Sequence, residues 1–212
     1  MTYDPWNPMT KEQAAALFAQ ELAKPDPEPV RAFEQIAHGM NIDPLEVLIA
    51  NILPVAWQGA LLPYFWSIRS NYPSMYAGTN TFVRLFERVG FVSDYEDVER
   101  PTEPMVIFRG ATNTPTQLAR GMAWTTDLDK ARWFSHRLDH LLDPKLKQYG
   151  VVPQVIRPTV WSAEISPEGI LAMFYQQNEL EVVINPRRLR KLRIVEQTDP
   201  EWPLKPGEES IG

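Results

Sequence analysis

Asn178-Glu-Leu-Glu-Val-Val-Ile-Asn-Pro186 sets two carboxylates, Glu179 and Glu181, two residues apart, where they lead into an apolar β-branched run, Val182 to Ile184. Such a run favours the pleated, half-buried surface of a strand. A strand's period of two puts both carboxylates on one side of the chain. Like charges that close are costly to bury, so the pair either faces water at a solvated strand start or does chemistry. The stretch therefore predicts a sheet in the C-terminal half and offers two candidate catalytic acids.

Working outward, Leu192 to Val195 reads as another strand, and from Glu196 the chain becomes acidic and proline-rich. Upstream, Ser166-Pro167-Glu168 carries the marks of a helix start, with an N-cap, proline at the first position and an acid in the first turn; they predict a short helix to about Phe174. Val151 to Ile165 holds one or two strands. Thr126 and Asp129 form a capping box ahead of a helix whose Leu128, Ala131, Phe134, Leu138 and Leu141 share a face, ended by Asp143-Pro144. Before it come Gly121-Met-Ala-Trp-Thr-Thr126 and a short strand, Met105 to Phe108, that delivers Arg109 and Gly110 at its end.

The first 90 residues obey a different grammar. Thr10 and Gln13 form a capping box for a helix over Lys11 to Ala23, stopped by Lys24-Pro-Asp-Pro-Glu-Pro29. Val30 to Met40 is a second helix ending near Asn41, and Asp43-Pro44 opens a third. Pro54 and Pro63 break or kink the chain from there to Ser70, and Phe82 to Val89 closes at Gly90. The expected organisation is a helical region over 1–92, an acidic linker over 93–104, an α+β region over 105–196 and a proline-rich acidic tail over 197–212.

Composition sets outer bounds. The 212 residues suit one substantial domain or a compact pair, and a 44% hydrophobic share is that of a folded chain. Cysteine is absent, which excludes disulfides, thiolate nucleophiles and Cys-based zinc sites. No basic, apolar leader is visible and the greasiest stretch, Leu45 to Trp66, is interrupted by polar residues and prolines, so the reading is a cytoplasmic protein without a membrane span. Residues 1–104 carry 14 acidic and 7 basic side chains against 13 and 14 in residues 105–212, so the first half is unsuited to gripping nucleic acid.

Arg109 after a strand, a Trp-Thr-Thr segment before a helix and Glu-x-Glu entering a late strand form an ordered set. Over about residues 105–195 this set resembles the mono-ADP-ribosyltransferase superfamily. The branch is the one with Arg, Ser-Thr-Ser and Glu-x-Glu motifs, which includes clostridial binary toxins and bacteriophage-encoded transferases. The resemblance implies an α+β fold with two small packed sheets around an NAD⁺ cleft, and NAD⁺ as substrate. It also suggests a bacterial or phage origin.

By the same resemblance Glu181 matches the glutamate that stabilises the oxocarbenium-like ribose, and Glu179 the acid that prepares an acceptor guanidinium on a protein target. Arg109, followed by Gly110, matches the phosphate-gripping arginine. Phe134 matches an aromatic against the nicotinamide, and Tyr175 the loop that recognises the target. Aligned directly, Trp124-Thr125-Thr126 replaces Ser-Thr-Ser. Thr125 or Thr126 supplies the hydroxyl that orients the glutamate if the register shifts by one, and Trp124 could stack on nicotinamide. NAD⁺ hydrolysis and a non-catalytic interaction module are the alternatives, the latter suggested by Trp124 at the serine position.

Other signals carry less. His136 and His140 stand four apart on a helix, but neither an adjacent Glu at His136 nor a third ligand is evident, so no metal site is expected. Arg187, Arg188, Arg190, Lys191 and Arg193 form a basic run that reads as a solvated turn and strand rather than a nucleic-acid contact.

Overall fold

A computed structural model describes residues 8–41, 48, 53–68, 78–94, 98–111, 121–137, 158–175 and 180–197. Among these residues the chain is α+β. The helices are α1 Lys11–Leu22, α2 Pro29–Met40, α3 Val55–Ile68, α4 Thr79–Val89 and α5 Leu128–Arg137. The strands are β1 Val92–Ser93, β2 Met105–Ala111, β3 Ala123–Thr125, β4 Thr159–Ile165, β5 Ile170–Phe174, β6 Glu181–Ile184 and β7 Arg190–Gln197. Two compact units divide the chain: Met1–Arg100 with Leu171–Gln176, and Pro101–Ile170 with Gln177–Gly212. The first unit is thus interrupted in sequence.

In the first unit, the Thr10–Gln13 capping box forms in full and starts α1. Helix α2 ends on Asn41 in the left-handed conformation, φ 56°, and α4 on Gly90 at φ 93°. The core is aromatic. Phe18 meets Trp57 edge to face with centroids 4.3 Å apart, Phe33 meets Phe65 at 5.0 Å, and Trp66 lies against Phe82 and Phe86. Helix α3 continues through Pro63, which the sequence marks as a break or a kink, so the proline does not end it. A proline inside a helix costs about 3 kcal/mol, and burying Trp57, Leu61, Leu62, Phe65 and Trp66 outweighs that. The helix expected from Asp43-Pro44 lies outside the described residues.

Two further expectations change here. The segment expected as a linker opens with β1, which pairs in parallel with β5 through Val92↔Ala172 and Ser93↔Met173. The helix expected from Ser166 to Phe174 is a single 3₁₀ turn, Pro167–Gly169, succeeded by β5. All five β5 residues are buried, so the apolar run Ile170 to Phe174 forms a strand shielded on both faces, and the start signals specify only one turn.

The second unit is a sheet in the order β6-β3-β2-β4-β7, each neighbour antiparallel. Helix α5 packs on β2 and begins one residue later than the Thr126–Asp129 box implies. Asp127 caps it, its Oδ1 accepting from the N–H groups of Asp129 at 2.8 Å and Lys130 at 3.2 Å. With helix position one at Leu128, Asp129 falls at the second position and cannot close a box on Thr126. Leu138 and Leu141 lie outside the described residues. Strand β7 is bent by two register shifts against β4, and Lys191 sits there at φ 49°. Arg132 on α5 reaches Glu196 on β7 through Nε at 2.9 and 3.1 Å and also pairs with Asp129.

Candidate functional site

Strand β3 stands between β6 and β2, and its ladder decides which side chains meet. Thr125 is the register partner of Glu181 on one side and of Phe108 on the other. Residues directly opposite in an antiparallel ladder point to the same face. Glu181, Thr125, Phe108 and, through β4, Ser162 therefore form one row across four strands. Thr125 is buried, and its Oγ1 accepts from the Asp127 N–H at 3.0 Å. With a lone pair engaged, the hydroxyl can still donate its proton toward the half-buried Glu181. Of the two hydroxyls the sequence left open, Thr125 is the one opposite the glutamate; Thr126 is half-buried one residue on.

Arg109 is inside β2 rather than at its end, because the ladder with β4 continues through Arg109↔Trp161, Gly110↔Val160 and Ala111↔Thr159. Alternation sends its Cβ to the face opposite Phe108, between Trp161 on β4 and, by register, Trp124 on β3. Phe108↔Thr125 is the one register pair between β2 and β3, and beyond it Arg109 Nη1 donates to Ala123 O. A Cβ on Gly121 would stand 2.4 Å from Arg109 Cζ. The guanidinium thus fills the opening where β2 and β3 part, braced against the start of β3.

The other predicted residues are spread more widely. Gly110 lies under α5, where a Cβ would meet Ala131 O at 2.1 Å. Trp124 is 3% exposed and its Nε1 donates to Gly121 O at 3.3 Å, so it is a core residue of this structure. Phe134 is half-buried on α5, edge to face with Trp133. Tyr175 belongs to the first unit, and its N–H donates to Asp94 Oδ1 at 2.8 Å. Glu179 and His140 lie outside the described residues. The basic run is solvent-facing in part, with Lys191 Nζ 2.7 Å from Glu164 and Arg193 Nε 3.3 Å from Ser162 Oγ.

Two residues of this neighbourhood escaped the reading of the sequence. Asp127 both caps α5 and fixes Thr125; an aspartate directly after Thr-Thr was the available signal. Trp161 has no motif around it and becomes noticeable only as the partner of Arg109. Among the described residues no group of three His, Cys, Asp or Glu could hold a metal ion, and no helix is long and apolar enough to cross a membrane. Comparison with protein-family models, with curated proteins and with solved structures gives no match to this chain.

Proposed function

We propose that the chain is a mono-ADP-ribosyltransferase that moves ADP-ribose from NAD⁺ to an arginine side chain of a protein and releases nicotinamide. The observation that supports this is the ladder Glu181↔Thr125↔Phe108, with Arg109 next in β2. Motifs read separately along some 75 positions of sequence lie on three adjacent strands, Glu181 and Thr125 on one face of the sheet and the Cβ of Arg109 on the other. Cleaving the nicotinamide–ribose bond develops positive charge on the ribose, and a fixed carboxylate at Glu181 stabilises it. The Thr125 hydroxyl, held by Asp127, orients that carboxylate. Arg109 grips the phosphates with a planar fork for which lysine is no substitute. Glu179 then prepares the acceptor guanidinium, Phe134 meets the nicotinamide and Tyr175 the target protein. The NAD⁺ cleft between two small sheets and a cytoplasmic setting belong to this proposal.

The test is transfer from labelled NAD⁺ into cell lysate by the wild type and by Glu181→Gln. The swap keeps shape and removes charge, so labelling is expected to fall by roughly 10²-fold or more. Wild-type labelling that Glu181→Gln retains would remove Glu181 from the chemistry. Nicotinamide release without labelled protein would instead assign NAD⁺ hydrolysis.

A second reading, a non-catalytic interaction module, is favoured by one observation. Arg109 is bonded to Ala123 O and packed against Gly121, as a bolt between strands would be. Calorimetry distinguishes the two: a folded protein that takes up no NAD⁺ supports the module.

A further inference from the structure

Trp161, in the middle of β4, is 6% exposed, and its indole Nε1–H has no hydrogen-bond partner among the described residues. Buried donors are nearly always satisfied, so a bare one calls for an explanation. Trp124, on the same face, shows the ordinary solution, since its Nε1 donates to Gly121 O. Phenylalanine would fill the Trp161 position without leaving a polar atom unmet. What sets Trp161 apart is its neighbour, for it is the direct ladder partner of Arg109. Cross-strand partners share a face with Cβ atoms about 5 Å apart. The Arg109 guanidinium now reaches the β3 side, to Ala123 O, but a buried N–H on the strand partner of a half-exposed arginine gives a donor set suited to an oxyanion once that side chain turns to a ligand.

We propose that Trp161 is a second ligand donor beside Arg109, its Nε1–H taking a pyrophosphate oxygen of the dinucleotide. This rests on the NAD⁺ reading of Arg109. The donor makes no bond to any described residue, so on this proposal its hydrogen bond forms with the ligand. Trp161→Phe therefore separates the two states: it removes an unmet polar group from the free protein and a bond from the complex.

The experiment measures thermal unfolding of wild type and Trp161→Phe, and calorimetric binding of NAD⁺ and, separately, inorganic pyrophosphate. Expected is a melting temperature equal to or above wild type, with affinity for both probes reduced about ten-fold. Unchanged affinity would overturn the proposal and leave a packing defect. Wild-type binding of pyrophosphate but not NAD⁺, weakened in the variant, would keep the anion site and remove the NAD⁺ reading. Binding of neither probe would overturn both. Should the variant fail to fold, ¹⁵N-tryptophan labelling of the wild type reads the same bond. One of the seven indole N–H signals, assigned through the β4 backbone to Trp161, must move downfield on titration with pyrophosphate, and a stationary signal overturns the proposal.

Discussion

Gly110 meets Ala131 backbone to backbone: a methyl group added to Gly110 would stand 2.1 Å from Ala131 O and 2.3 Å from Ser135 N. Neither obstacle is the end of a flexible side chain, so β2 and α5 would have to separate. Gly110→Ala is expected to destabilise the protein by about 1–3 kcal/mol or more. Urea unfolding should show a lower midpoint at unchanged slope, and an unmoved midpoint would show that the helix gives way freely.

Gly121 offers the contrast. Its absent Cβ is occupied by Arg109 Cζ and Nη1, both at 2.4 Å, the mobile end of a long side chain. Gly121→Ala should leave the unfolding midpoint nearly in place and displace the guanidinium. If Arg109 holds phosphates, NAD⁺ affinity falls by about ten-fold or more; equal affinity would release Arg109 from that role.

Thr125 links stability to the site. Thr125→Val deletes the acceptor of the Asp127 N–H and the hydroxyl facing Glu181, whereas Thr125→Ser keeps both. We expect Val to cost about 1–3 kcal/mol and to suppress label transfer, and Ser to retain transfer. A Val variant that is fully active would disconnect Thr125 from the glutamate.

The N-cap of α5 can be assigned by a pair of substitutions. Asp127→Ala should cost about 1 kcal/mol, because two helix N–H groups lose their acceptor. Thr126→Ala should move the unfolding midpoint little. The reverse ranking would restore the cap to Thr126.

Acid should loosen the tie between α5 and β7. Hydrogen bonding from the Arg132 guanidinium holds the Glu196 carboxyl below the usual carboxylate range. A depressed folded pKa stabilises above the unfolded value, about 4.3, and the contribution disappears as pH falls through the folded value. The difference in unfolding midpoint between wild type and Glu196→Gln should therefore be present at pH 7 and shrink steadily as pH falls below the unfolded value. A gap that does not change with pH would mean the side chain acts by packing.

Local chemistry was legible where one residue type has one use. The capping box at Thr10, the helix end near Asn41 and Gly90 at the end of α4 were all readable before any fold existed. The strand Val182 to Ile184 was readable for the same reason, since β-branched residues stiffen an extended chain. What failed was competition between signals. Ser166-Pro167-Glu168 is a sound helix start, yet burial of Ile170 to Phe174 on both faces outweighed it. Pro63 marks a break or a kink, and the apolar helix shows that it is not a break. The pairings that build the candidate site, Thr125 with Glu181 and Arg109 with Trp161, are matters of register, which only the assembled sheet fixes.

The parallel pair of Val92 with Ala172 has a consequence in time. A ribosome adds roughly 5–20 residues per second, so the 80 positions between these partners take on the order of 4–16 s to emerge. Throughout that interval the nascent first unit has its helices but lacks the strand that pairs with β1, and the phenylalanines of α4 are already made. The chain must hold that unfinished surface until its own later sequence arrives, and a fragment released at residue 104 never receives it.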